Sequence, residues 1–321
     1  MESVKNVPEV DLVGVGLNAT DTVISLSAFP AIGAKIEFDD LHVLPGGQTA
    51  TAVVACQTWG MRTRYVGKLG DDHAAQMHHE AFAAAGVEAR ILTAPNTTSA
   101  QSIILVDGSG ERTVLLKRDE RTSLASTDLK PEWIQTARAL HVDGFDTAAA
   151  TCAAAWAREA GTPVIADLDE IYAGVHDLLP LIDYLIVSRD FPRRLTGERS
   201  LEKALQRMQQ EYGSRLTAAT LGHDGVLAWD GTRFHYRPAF LVPVVDTTGA
   251  GDLFHAGFIY GLMQGWPLDR QLDFACAAAA LNCTAAGARG GIQAVGAIEA
   301  LMQDGDRYPA AYPAPKHTVF A

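Results

Sequence analysis

Cysteine is scarce in this chain of 321 residues: the four present, Cys56, Cys152, Cys276 and Cys283, form no CxxC pair and no zinc-like spacing. A disulfide framework and a zinc module are therefore not expected. Each cysteine lies in an Ala-rich helical pattern, the setting of reduced core thiols, which fits a cytoplasmic protein. Positive charge is also short, with 26 Lys and Arg against 38 Asp and Glu and a net charge of -12. Phosphate-backbone affinity needs clustered cations that release counterions, so a nucleic-acid partner is not expected. Long apolar runs are missing too. The longest Ala-rich stretch, Phe274 to Ala288, contains Asn282 and Thr284 and reads as a buried helix rather than a membrane span. The opening residues, MESVKNVPEVDLVGVG, set acids and a proline before the first apolar run, unlike a signal peptide. No GxxxxGK[ST] occurs, which excludes a P-loop NTPase.

What is present is an ordinary globular composition, 48% apolar and 20% charged. The length suits two average domains or one large α/β domain with an added piece. The first short apolar strand is Asp11 to Gly16. From Thr22 to Leu44 the residues are β-branched and alternating around Pro30, which suggests strands rather than a crossover helix. Ile91 to Lys117 repeats this character around the turn Asp107-Gly108-Ser109-Gly110. These two excursions predict a small sheet, a lid beside the main body. The remainder alternates between strand and helix, with strands near Ala139 to Val142, Val164 to Leu168, Tyr184 to Val187 and Ala218 to Leu221. That alternation predicts a doubly wound, mostly parallel α/β sheet flanked by helices, with residues 1–321 forming one unit.

The segment LVPVVDTTGAGDLFHAGFIYGL, Leu241 to Leu262, reads as extended chain, Gly-rich turn and helix. Glycines let backbone N–H groups approach a ligand, and the helix dipole favours negative charge there. The product is an anion hole built without basic side chains from Gly249, Ala250 and Gly251. Asp252 sits inside that positive corner, where the dipole should keep it ionised at neutral pH. Such a carboxylate suits phosphoryl transfer, in which it orients a hydroxyl nucleophile and takes its proton late. A favourable first-turn acid is the bland reading of a lone Asp; the complete Asp-Thr-Thr-Gly-Ala-Gly-Asp unit favours chemistry.

With that unit, Asp246 to Asp252, the sequence resembles the PfkB family of carbohydrate kinases, whose C-terminal signature is DTxGAGD. The resemblance extends over nearly the whole chain, including Gly46-Gly47 before a helix and Tyr65 to Asp72 (YVGKLGDD). It implies a ribokinase-like fold, with Asp252 as the base that takes the acceptor proton and ATP and Mg²⁺ as cofactors. It also implies a homodimer through the lid and K⁺ held near Asp246 and Thr248 beside the 286–291 loop. On the sugar side it points to Asp21, Gly46, Gly47 and Thr51. His141, Asp143 and Asp146 follow a strand at the end that faces the cleft in such sheets, as sugar contacts or plain loop surface, and Lys117 and Arg118, ending another, read as a solvated basic pair or as holders of an anionic group on the substrate. Thr51 stands where ribokinases carry Asn, so a ketose or an anionic relative, of the fructose or sulfofructose type, is expected rather than ribose. On the nucleotide side it points to Thr220, Gly222, Gly225, Ser188, Cys276 and Asn282. The family's NxxE motif would fall at Ser188 to Phe191, and both signature residues are missing there.

Two other features invite different chemistry. Gly14, Gly16 and Ala19 fit GxGxxG/A after a strand, with Glu37 and Asp39 at about the distance of a ribose-binding acid, as in a nicotinamide-dependent oxidoreductase. The following TDTVISLSAFP opposes the helix that fingerprint needs, leaving this and a catalytically silent binding protein of the same fold as alternatives. His73, His78 and His79 suggest a metal, but without a partnering carboxylate motif they read as solvated helix residues.

Overall fold

The computed structural model describes residues 8–38, 40–108 and 112–312. Its strands are β1 (Leu12–Val15), β2 (Ala19–Ser25), β3 (Asp40–Gly46), β4 (Thr63–Leu69), β5 (Glu88–Thr93), β6 (Gln101–Val106), β7 (Arg112–Lys117), β8 (Leu140–Val142), β9 (Val164–Leu168), β10 (Tyr184–Ser188), β11 (Leu216–Thr220), β12 (Val226–Trp229) and β13 (Phe234–Arg237). Nine of them form one sheet in the order β13, β12, β11, β10, β9, β8, β1, β4, β5. Its pairs are parallel except where β12 and β13 close one edge antiparallel.

Helices cover both faces, so the central strands are buried on both sides and read as continuous apolar runs. Successive residues point to opposite faces. Leu12, Ile165 and Ile186 join one core with the helices Gln48–Thr58, Ala250–Met263 and Leu268–Asn282. Val13, Val164 and Val187 join the other with Thr147–Glu159 and Leu201–Tyr212. Small residues at Gly14 and Gly16 let the Gln48–Thr58 helix lie against β1: a Cβ on Gly14 would meet Val53 at 2.4 Å and one on Gly16 would meet Thr49 at 2.5 Å.

The smaller sheet runs β3, β2, β6, β7, with β2 and β6 parallel and the outer pairs antiparallel. Its inner face carries Asp21, Val23, Ser102 and Ile104, all buried. Its outer face presents Leu41, Val43, Ile103 and Leu115 to solvent. The sequence placed the lid at 22–44 and 91–117, but the chain from 88 to 93 is β5, paired with β4 at the edge of the large sheet. Alternation reveals a strand without naming its partner, and here tertiary pairing made the choice. The stretch between Leu26 and Phe38 forms no strand. Arg112 and Arg118 tie the lid down. The first donates to Thr247 O at 3.1 Å and Thr247 Oγ1 at 3.2 Å; the second pairs with Asp146 and lies 4.3 Å above the Phe145 ring.

Candidate active site

The Gly-rich corner is set by backbone geometry that only glycine accepts. Gly249 precedes the Ala250–Met263 helix at φ 78°, and a Cβ there would lie 2.4 Å from Ala288 O. The first-turn amides have no intrahelical partner at the positive end of a long helix, but the Ala250 N–H, expected in the anion hole, donates to Thr247 O at 3.2 Å. Beneath the loop, Asp246 Oδ1 accepts from Thr248 N–H at 2.8 Å and Oδ2 from Gly287 N–H at 2.8 Å. Asn282 donates through Nδ2 to Thr248 O at 2.9 Å and Ala288 O at 3.1 Å, while its Oδ1 accepts from Gly291 N–H at 3.2 Å. Asn282, expected on the nucleotide, therefore holds the loop and is fully buried.

Thr248, Gly249, Ala250, Gly251 and Asp252 line a cleft of about 1000 Å³ between the lid and the large sheet. The cleft also takes in Asp21 and Gly47, expected on the sugar side, and Ser188, Thr220, Gly222, Gly225 and Cys276, expected on the nucleotide side. Arg189 joins the latter group, donating to Leu221 O and to Asp224 Oδ2.

Several expected contacts lie elsewhere. His141 is buried under the sheet end with Nδ1 3.3 Å from Ile165 O, and burial pushes its imidazole down to about 3. Asp143 accepts from Leu17 N–H at 2.6 Å, Thr49 Oγ1–H at 2.8 Å and Phe145 N–H at 3.0 Å, so it joins the β1 turn, the Gln48–Thr58 helix and the loop after β8. Gly46 packs against Asp21, where a Cβ would meet Oδ2 at 1.8 Å. Lys117 is exposed and does not line the cleft, and Arg118 is neutralised by Asp146, so the groups expected to hold an anionic sugar are used otherwise. Thr51 is fully buried, and its hydroxyl accepts from Arg289 Nε at 3.2 Å. Arg289 Nη2 also donates to Gly46 O at 2.9 Å, so the Thr51 hydroxyl is linked to the Gly46-Gly47 turn through this guanidinium. The oxidoreductase reading fails because the chain after Gly16 runs into lid strand β2 instead of a helix. Glu37 is exposed, and Asp39 lies outside the described residues. Of the three histidines, His78 is not solvated: it is buried, its Nε2 is 3.0 Å from Thr20 Oγ1, and burial pushes it down to about 3.

The structure adds residues that sequence reasoning missed. Asp167 and Asp169, at the carboxyl end of β9, line the cleft with Asp252. Two acids at the end of a central parallel strand were the available signal, since ligands gather at that edge of such sheets. Their crowding matters. Burial, then the nearby Asp167, hold the Asp252 carboxyl well above the usual range, with Arg112 opposing and Asp21 and Asp169 adding to the rise. Desolvation and like charge thus oppose the dipole that was expected to keep Asp252 ionised. One turn along, His255 sets Nδ1 2.8 Å from Gly251 O and 3.3 Å from Asp167 Oδ2. Arg112 is the other omission: it enters the cleft from the lid and opposes the rise at Asp252.

Residues 18–294 match the pfkB family carbohydrate kinase. The chain is 32% identical to aminoimidazole riboside kinase of Salmonella typhimurium over 80% of this chain and 84% of that one. It is 26% identical to ribokinase of Haemophilus influenzae over 85% of this chain and 92% of that one. The structure of Arabidopsis thaliana ribokinase complexed with ribose and ATP superposes with a TM-score of 0.78, at 24% identity, covering 92% of this chain and 99% of that one. The nine-stranded core, the strand-built lid and the Asp246–Asp252 corner at their junction thus belong to a ribokinase-like phosphotransferase with an alcohol acceptor: the chain is a member of the pfkB family of carbohydrate kinases.

Proposed function

We propose that this enzyme transfers the γ-phosphoryl group of ATP to a primary hydroxyl of a furanose-like sugar seated between Asp21 and Asp252. The observation that carries this reading is that one cleft is lined by the anion corner, Asp252 and Asp21 together with lid residues and the 220–225 loop. Asp252 accepts the hydroxyl proton as the new O–P bond forms. The bond from the γ-phosphorus to its bridging oxygen breaks, and ADP leaves. A carboxyl held above its usual range is the stronger base for that proton. The amides of Gly249 and Gly251 and the Arg112 guanidinium face the transferred group's negative charge.

Mg²⁺ supplies neutralisation of the phosphate oxygens when bound with ATP. Asp167 and Asp169 are the residues here that would hold it, beside Ser188, whose hydroxyl donates to Asp169 O at 3.4 Å. Among the described residues no three ligating side chains form a ready cage, as expected for an ion that keeps several waters and shares one or two carboxylates with a nucleotide. K⁺ fits the other side of the corner. The buried Asp246 carboxylate has only amide donors and no ion-pair partner among the described residues, leaving negative charge for a monovalent cation to balance. The outward face of the lid, with Leu41 43%, Val43 54%, Ile103 44% and Leu115 55% exposed, suits a second copy of this chain, and a homodimer is part of this reading.

The test is Asp252→Asn in a coupled ADP-release assay. The amide keeps the shape and loses the proton acceptor, so turnover should fall about 10²–10⁴-fold with ATP affinity nearly unchanged. Near-wild-type turnover removes Asp252 from the mechanism.

A further inference from the structure

Arg289 is a cation without a carboxylate. Its Nε donates to Thr51 Oγ1 at 3.2 Å and its Nη2 to Gly46 O at 2.9 Å, and among the described residues no salt bridge neutralises it. Burial pushes its guanidinium down to about 10, with Asp21 and Asp252 opposing, so it is charged at neutral pH. A cation taken from water and set on two neutral oxygens gains less than an ion pair would, so stability alone is a poor reason for it.

The backbone that carries Arg289 is fixed from the phosphate side. Gly287 N–H donates to Asp246 Oδ2 at 2.8 Å, Ala288 O accepts from Asn282 Nδ2 at 3.1 Å, and Gly291 N–H donates to Asn282 Oδ1 at 3.2 Å. Ala288 also packs against Gly249, where a Cβ would lie 2.4 Å from its carbonyl oxygen. The side chain ends on the other side, at the turn between β3 and the Gln48–Thr58 helix. Two adjacent glycines, with Gly47 at φ 93°, give that peptide wide freedom and no side chain of its own to hold it. The peptide is trans, so the Gly46 carbonyl and the Gly47 N–H point in opposite directions. Gly47 lines the cleft and Arg289 does not. A guanidinium that draws the carbonyl away from the cleft therefore turns the Gly47 N–H toward it and polarises that N–H as a donor.

We infer that Arg289 is a positioning residue: it locks the Gly46-Gly47 peptide with its N–H aimed at the acceptor and ties that turn to the loop beneath the anion corner. The inference rests on the phosphotransfer reading for the existence of an acceptor and goes beyond it in naming what aligns acceptor and corner. The planar fork is essential to this role, because Thr51 Oγ1 sets the guanidinium plane while Gly46 O receives the second N–H. The Thr51 hydroxyl thus acts through Arg289.

The test measures initial rates of the full chain with ribose and with fructose in the ADP-release assay. Arg289→Ala should raise the KM of the sugar that is used about tenfold or more, as for a lost hydrogen bond from a charged donor, with the ATP KM unchanged. Guanidinium chloride at millimolar concentration should restore much of the loss, whereas Arg289→Lys should not, because an ammonium lacks the planar fork. Thr51→Val should raise the same KM severalfold alone and have no further effect beside Arg289→Ala. Hydrogen exchange of the ligand-free chain reads the positioning without turnover: Arg289→Ala should speed exchange over 46–51 about tenfold or more and leave the far edge at 226–237 as in wild type. Thr51→Val keeps the side-chain volume and carries the same tests at smaller amplitude should Arg289→Ala fail to fold. A sugar KM that does not move, an ATP KM that rises in parallel, or unchanged exchange over 46–51 overturns the inference and leaves phosphotransfer intact. If neither sugar is turned over, the exchange result alone decides.

Discussion

Replacing Asp21 by asparagine separates what this residue does to the fold from what it does for the acceptor. Asp21 on β2 is 4% exposed, and its burial outweighs the hydrogen bond from Ser102 and the attraction of Arg289, pushing the carboxyl from 3.8 up to about 6. A carboxyl raised in this way keeps its proton in the folded chain at pH values where the unfolded chain has released it. Its contribution to stability is therefore present below the unfolded value and is lost as pH climbs through the folded one. Over that window the loss amounts to ~3 kcal/mol. Asparagine has no such titration, so the stability of Asp21→Asn relative to wild type should rise by ~3 kcal/mol between pH 4 and pH 7. Urea denaturation of both proteins at pH 4, 5, 6, 7 and 8 and fixed ionic strength measures this difference, with carboxylates that do not interact with Asp21 cancelling between them. The same variant should raise the acceptor KM about tenfold or more, because a charged acceptor of sugar hydroxyls is replaced by an amide. A stability difference that stays flat with pH refutes the burial argument. An unchanged acceptor KM refutes the sugar contact.

Two further outcomes are expected. K⁺ should raise the turnover rate severalfold over tetramethylammonium at equal ionic strength, since it balances the buried Asp246 charge beside the anion corner; equal rates would remove it from the mechanism. Ile103→Lys, which puts a charge at the centre of the lid's exposed apolar face, should convert a sedimenting dimer to monomer; wild type sedimenting as a monomer, or an unchanged variant, counts against the lid interface.

The amino-acid sequence by itself determined the Gly-rich turn into the Ala250–Met263 helix, because backbone geometry and helix polarity depend on neighbours in the chain. It also determined the alternating α/β core and the presence of two β-rich excursions, since strand and helix periodicities are local. Only the tertiary structure decided which strands belong to the lid, placing 91–93 in the large sheet as the end of β5, because pairing is a choice among distant partners. It also set burial and like charge against the dipole at Asp252. The dipole was legible in the sequence, but Asp167, Asp169 and Asp21 come from strands far apart along the chain and meet it only in the fold, where shared burial makes like charge costly. The acceptor end followed the same rule. Thr51, His141 and Asp143 stand at positions that a linear motif singles out, yet packing turned them inward and left Phe145, Tyr172 and the lid's inner residues facing the cleft.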